Sequence, residues 1–234
     1  MIYDADAACP VYVAVTAAKV NDITAAQDMP IEVGATYVFD LGYYDYAWWA
    51  KLDAAGCRIV TRFKSNTPLD AIEERTVMED GSILPDRVGY LPARQAKNRK
   101  NPFGDPVREV RVVIETGKIL RILSNDLDAR AEEIAALYKR RRDIELFFRW
   151  IKQILKPKTF LGTSENAIRI QIAIALIAYL LLRLAHGAQK SRLTLLTFIR
   201  LVRLNLMDLK PIDRLLDDLI ERPPDNRQMA FEFL

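Results

Sequence analysis

Tyr138, Arg141, Glu145 and Lys152 stand at positions i, i+3, i+7 and i+14 of the string YKRRRDIELFFRWIK, which runs from Tyr138 to Lys152. At helical periodicity these four share one stripe. Ile144, Phe147, Phe148 and Ile151 form an adjacent apolar stripe able to seat the helix against a sheet. Glu145 is therefore expected beside the core, facing the same way as two cations and a phenol. A carboxylate there either completes an ion network or is kept to bind a cation. As an i,i+4 Arg–Glu pair it would contribute only a few tenths of a kcal/mol. Asp40 offers a second carboxylate. It ends the β-prone run Ala35–Phe39 and precedes Leu41-Gly42, a strand-end loop of the kind on which rigid scaffolds present functional groups. Two hard carboxylates suit Mg2+, which takes oxygen ligands and keeps waters. Two such ions about 3.5–4 Å apart clamp the attacking and leaving oxygens of a phosphodiester displacement. Taken alone, Asp40 reads as a turn or cap aspartate.

The elements that must position these groups are legible in outline. Val11–Thr16, Ala35–Phe39 and Cys57–Phe63 are rich in β-branched and aromatic residues and read as strands. Tyr46–Ala55 is helical in composition, with Gly56 where a glycine ends a helix. A strand, helix, strand succession of this length implies a crossover onto a sheet. Across 66–123, Pro68, Pro85, Pro92, Pro102 and Pro106 break up any long helix, so short strands and turns are expected. From Asp128, expected as an N-cap, one helix should continue to about Lys156 and stop at Pro157. A second should begin near Ser164 and run to His186-Gly187, with a helical tail from Ser191 that frays in its last ten residues.

Composition narrows the chemistry. The 234 residues are half apolar and 28% charged, enough for one large domain with a packed core. Cys9 and Cys57 make no disulfide framework or metal-ligand spacing, which suits a reducing cytosol. The N-terminus has neither a basic start nor a long apolar run of the secretory kind. The longest apolar run, Ile172–Leu182, is shorter than a bilayer needs, so a buried helix is expected. Charge is unevenly spread. Residues 1–56 carry eight acids against two lysines, residues 87–121 nine basic groups against three acids, and residues 138–158 eight against two. Arginine outnumbers lysine 22 to 12, and its fork matches phosphate oxygens bidentately. Two basic blocks of this size are either solvated faces or a nucleic-acid footprint with salt-dependent affinity. Trp48 and Trp49 read as core, and Tyr43 and Tyr44 as packing. His186 stands at a helix end, away from any Ser-His or Cys-His arrangement.

The spacing Tyr138-(2)-Arg141-(3)-Glu145-(6)-Lys152 resembles the Tyr-(2)-Arg-(3)-Glu-(6)-Lys signature of bacterial insertion-sequence transposases of the family founded by insertion sequence four. Asp40-Leu41-Gly42-Tyr43 resembles that family's second acidic motif, an Asp-x-Gly-aromatic at a strand end. The resemblance covers the chain except its tail. It implies an α/β, ribonuclease H-like mixed sheet flanked by helices, with its core in 1–65 and 124–190. A basic β-rich insertion would occupy 66–123, and a helical tail 191–234. Asp40 and Glu145 would be the second and third metal-binding acids of a DDE triad, holding Mg2+ in a two-ion site. Tyr138 and Arg141 would touch DNA phosphate near the cut, and Lys152 the transposon-end backbone. Arg142, Arg149, Arg94, Lys97, Arg99 and Lys100 are further candidates for DNA contact. The implied partner is double-stranded DNA, as transposon ends and target, with a homodimer or an intact transposase as protein partner. The implied chemistry is strand cleavage by metal-activated water, then attack of the 3′-hydroxyl on target DNA, in the bacterial cytoplasm at the nucleoid. The family's first acid lies on the first strand, well upstream of the second. Of the earlier aspartates, Asp4, Asp6, Asp22 and Asp28, none substitutes, and YDADAACP resembles the hairpin between the second and third strands. The chain is thus expected to be N-terminally truncated and inactive or impaired by itself. The alternatives are a non-catalytic DNA-binding or dimerising remnant that inhibits intact transposase, and a product with no selected role.

Overall fold

The structure, a computed structural model, describes residues 1–17, 19–75, 83–94, 99–155, 162, 164–189, 193–205 and 207. The chain divides into two compact units, Met1–Trp150 and Ile151–Leu234. The first opens with an antiparallel hairpin of β1 (Ile2–Asp4) and β2 (Cys9–Tyr12). The Asp4 carboxylate accepts from the Asp6 and Ala7 N–H groups at 2.8 and 2.9 Å and so closes the hairpin, as expected of that stretch. The strand expected over Val11–Thr16 does not extend past Tyr12, and a short helix α1 (Asp22–Gln27), unforeseen in the sequence, follows.

β3 (Thr36–Phe39) and β4 (Arg58–Arg62) lie side by side in parallel, joined through a 3-10 turn (Leu41–Tyr43) and α2 (Tyr46–Ala54). α2 begins where the Asp45 side chain accepts from the Trp48 N–H at 2.9 Å. It ends before Gly56, whose φ of +69° is a conformation that only glycine adopts cheaply. The β-rich character expected of 66–123 is present in β5 (Asp70–Arg75), β6 (Ile83–Tyr90), β7 (Val107–Val113) and β8 (Ile119–Ser124). These strands do not close on themselves. β8 pairs antiparallel with β4, so all of them extend one mixed sheet in the order β3-β4-β8-β7-β6-β5. Alternation along β4 feeds two cores. Ile59 and Phe63 pack with Trp48, Trp49 and Leu52 of α2, while Val60 packs with Ala131 and Ile134 of α3 (Ala131–Arg140) on the other face. The result is α/β, a mixed six-strand sheet flanked by helices, and both tryptophans are core as expected.

The long helix expected from Asp128 to Lys156 is two helices. α3 starts at Ala131 with Arg130 as N-cap, because the Asp126 carboxylate engages the Asp128 and Ala129 N–H groups and holds that stretch in a turn. It stops at Arg140, where the Arg141 N–H bonds the Tyr138 carbonyl three residues back, and α4 (Arg142–Leu155) restarts the chain. The helix seated on the sheet is α3. On α4, Phe147 meets the Tyr3 ring of the hairpin at 5.2 Å, while Phe148 is exposed.

In the second unit, α5 (Glu165–Ala188) is capped by Ser164, which accepts from the Ala167 N–H at 3.2 Å. α6 (Leu195–Leu204) packs on it, with Phe198 fully buried and edge-on to the His186 ring at 5.2 Å. α5 is not the buried helix expected. Ala175 and Tyr179 are covered, but Ile170, Ile174, Ile177, Leu181 and Leu184 are 56–70% exposed. By length and composition it is the one described helix able to span a bilayer. The expected stop at Lys156-Pro157 and the end of the tail lie outside the described residues.

Candidate active site

Asp40 leaves β3 at its carboxyl end and accepts from the Gly42 N–H at 2.8 Å, so its backbone direction is fixed by the cap it makes for the 3-10 turn. The parallel register sets Phe39 beside Thr61, which brings Arg62, the last residue of β4, alongside Asp40. Tyr138, from the last turn of α3, packs its ring on the α3 face of the sheet. Arg141, at the junction of α3 and α4, then reaches both carboxylates. One terminal nitrogen lies 3.4 Å from Asp40 Oδ2, and the other donates to Glu145 Oε1 at 2.5 Å. The guanidinium thus meets a carboxylate 101 positions earlier in the sequence as well as the one four residues on.

Glu145 does not sit beside the core as the helical stripe led us to expect. Its side chain is 53% exposed and that of Asp40 46%, while Arg141 between them is 23% exposed. The break between α3 and α4 explains the difference, since the residues that seat on the sheet belong to α3 and not to the turn carrying Glu145. Burial works against the charge of Arg141, but the Glu145 bond, with Tyr138 and Asp40 nearby, holds its pKa above the ordinary value. Burial likewise raises the Tyr138 phenol, and Asp40 adds to it, against the pull of Arg141 and Arg62. The phenol therefore stays protonated well past neutrality and can donate to an anionic oxygen.

Arg62 escaped the sequence reading because a strand-end cation carries no pattern of its own. Only the pairing of β3 with β4 reveals that it flanks Asp40, with Lys64 beyond it over the Tyr44 ring at 4.1 Å. Arg142 and Arg149 are exposed on α4, and Lys152, seven residues beyond Glu145 on the same helix, is exposed as well. The loop bearing Arg94, Arg99 and Lys100 leaves the sheet elsewhere. Val107 pairs with Gly89, Arg108 with Ser124, and Ser124 with Val60, so the β6–β7 connection departs from the end opposite Asp40. There Arg94 and Lys100 form an isolated bridge, and Lys97 lies outside the described residues. Other members of the first basic block are engaged within the fold or in pairs at its surface. Arg108 pairs with buried Asp86, Arg121 with buried Glu109, Arg87 with Glu74, and Arg111 donates to the Pro85 carbonyl. That block is therefore not one continuous face for DNA.

A polar cavity of about 450 Å3 opens at the far end of β3 and β4, between Gly34, Asp53, Arg58 and Asn125. Its groups are mutually bonded, with Arg58 on Asp126 at 2.6 Å and Asn125 on Asp53 at 2.5 Å. It is thus a joint between strands, remote from the acids. Among the described residues no three His, Cys, Asp or Glu side chains converge as a metal cluster. Asp40 and Glu145 supply two hard oxygen donors, which fits Mg2+, an ion held by one or two carboxylates together with substrate phosphates.

Residues 1–181 match the transposase DDE domain family. A relative from Sinorhizobium fredii, bearing the transposase name y4zB, is 39% identical over 227 residues, which are 96% of this chain and 62% of that protein. A Geobacillus stearothermophilus relative, named as a transposase for insertion sequence element IS5377, is 34% identical over 160 residues, 66% of this chain and 40% of that protein. A third, from Synechocystis and named for insertion sequence element IS4SA, is 38% identical over 82 residues, 35% of this chain and 24% of that protein. The chain spans less than two thirds of the length of each of these relatives. It belongs to the transposase DDE domain family of bacterial insertion sequences.

Proposed function

We propose that the carboxyl end of β3 and the α3–α4 junction are the DNA-cutting end of a ribonuclease H-like transposase core of the insertion-sequence-four type. The observation that supports this reading is the convergence of Asp40 and Glu145 on Arg141, since it gathers the strand-end and helix motifs at one place. Asp40 and Glu145 would hold a divalent cation such as Mg2+, which supplies Lewis-acid activation of water and of a phosphodiester oxygen when bound. Arg141 balances the two carboxylates until DNA arrives, and with Tyr138 it then donates to phosphate oxygens beside the cut. Arg142, Arg149 and Lys152 continue the contact along the duplex backbone, and Arg94, Arg99 and Lys100 form a separate contact at the other end of the sheet. Such contacts position DNA and do not read its sequence. The setting is transposon ends and target DNA in the bacterial cytoplasm at the nucleoid.

A second reading is favoured by the same geometry. With a guanidinium already between two acids, the chain by itself binds DNA without cutting it, and would impair an intact transposase by occupying its sites. Calorimetric titration with Mg2+ and a supercoiled-plasmid nicking assay separate the two readings. We expect one weak Mg2+ site that is lost in Asp40→Asn, a change that keeps the cap on Gly42, and little or no nicking by the 234-residue chain. Weak binding unchanged in Asp40→Asn would remove the metal role assigned to these acids, whereas two tight Mg2+ sites together with plasmid nicking would sink the second reading.

A further inference from the structure

Val60 packs in the core on the α3 side of the sheet, and strand alternation puts Arg62 on that same face. Val38 packs there too, so Asp40, two residues on and still extended, shares it. β3 and β4 are parallel neighbours, about 4.8 Å apart by strand spacing, and the pairing of Phe39 with Thr61 brings Arg62 level with Asp40. Burial raises the Tyr138 phenol while Arg141 and Arg62 oppose it, so the charge of Arg62 acts on the same cluster. The two arginines are not equivalent. Arg141 is shared between Asp40 and Glu145, whereas Arg62 is exposed and, among the described residues, makes no ion pair. Its strand end is nonetheless held. The Phe63 N–H donates to the Arg121 carbonyl at 2.8 Å, and the Arg121 guanidinium lies over the Phe63 ring at 4.4 Å. From there it donates to the Lys64, Ser65 and Thr67 carbonyls.

With no cation bound, Asp40 and Glu145 bring two negative charges and Arg141 offsets one of them. Without Arg62 this end of the sheet would therefore repel phosphate. We propose that Arg62 is the phosphate anchor of the site: its guanidinium takes a DNA backbone phosphate beside Asp40 without the help of a divalent cation, while Arg141 still bridges the acids. The role rests on the reading that this end of the sheet meets DNA, and adds to it a residue and an order of engagement. An exposed fork on a fixed strand end matches two oxygens of one phosphate and has no carboxylate to leave first. Lys64, two residues on, is the weaker donor, since it lies over the Tyr44 ring at 4.1 Å and offers a point charge. Contact of this kind accepts any base sequence.

Fluorescence anisotropy of the 234-residue chain with a short labelled duplex in EDTA, from about 50 to 200 mM salt, tests this. Arg62→Gln should weaken binding roughly fivefold or more and flatten the slope of log affinity against log salt by about 0.9, one phosphate contact. Arg62→Lys should restore the slope but only part of the affinity, because a point charge replaces the fork. The circular dichroism of both variants should match wild type, since the side chain is exposed. Arg62→Gln in an Asp40→Asn background locates the phosphate. The two effects should depart from additivity by roughly threefold, as for groups that share a partner. Additive effects would put the phosphate away from Asp40 and overturn the proposal. A loss in Arg62→Gln that appears only with added Mg2+ overturns it too, as does a wild-type slope in Arg62→Gln while Arg149→Gln flattens it. In these three cases the wider reading stands. Wild-type binding that does not vary with salt removes that reading and the proposal together.

Discussion

Arg141 is the residue on which the candidate site turns, because its two terminal nitrogens serve two acids that the chain brings from opposite ends of the core. The Arg141–Glu145 pair is short but half exposed, and pairs of that kind contribute little to stability. Glu145→Gln should therefore lower stability by no more than about 0.5 kcal/mol, read as the shift in denaturant midpoint at constant slope. A cheap loss there, joined to lost Mg2+ binding, is the pattern of a side chain kept for chemistry. Tyr138 gives a second handle. Its folded pKa is raised by burial, so the stabilisation it carries is fully present below the unfolded value near 10 and is lost as pH rises through the folded value. Tyr138→Phe cannot ionise. Its denaturant midpoint should fall less steeply than that of wild type between about pH 9 and 11.

At the scale of elements, local signals and long-range pairing divided the sequence between them. Gly56 and Ser164 announced helix ends through their own chemistry, and α2 and α5 lie within a residue or two of the bounds expected of them, whereas the Asp45 cap of α2 went unread. The split between α3 and α4 was illegible. Arg140, Arg141 and Arg142 are all good helix formers, and the break falls where Arg141 reaches Asp40 across the fold, a contact with no local signal. The same holds for Arg62, whose place depends on the β3–β4 register. The buried pairs of Arg108 with Asp86 and Arg121 with Glu109 likewise read as free basic charge until β6, β7 and β8 are aligned. Caps act locally and should be testable locally. Asp45→Ala removes the acceptor for the Trp48 N–H and should cost about 1 kcal/mol. Gly89→Ala should cost more, since its Cβ would come within 2.3 Å of the Asp70 carbonyl oxygen and force β5 from β6. Thermal melts of the two variants check both values and their order.

For the molecule as a whole, the question is how much of its positive charge is offered to DNA. The sequence counts suggested two equal basic blocks, but the fold leaves them unequal. Within 87–121, three arginines are paired with acids and one is tied to a carbonyl, whereas Arg142, Arg149 and Lys152 are exposed on α4. Phosphate contacts release condensed counterions, so log affinity falls with log salt at about −0.9 per phosphate neutralised on duplex DNA. Removing a contacting cation should flatten that slope by about one such step and weaken all sequences alike, because backbone contacts carry no base identity. Arg149→Gln and Arg142→Gln should each do so. Arg87→Gln serves as the contrast: it removes the same formal charge, but from a side chain committed to Glu74 at 2.8 Å, and should leave the slope within error of wild type. Fluorescence anisotropy with a short labelled duplex between 50 and 200 mM salt, the range over which such affinities change most visibly, reads all three. Equal flattening by Arg87→Gln and Arg149→Gln would mean that net charge, and not the face of α4, governs binding, and the assignment of α4 to the DNA backbone would fall.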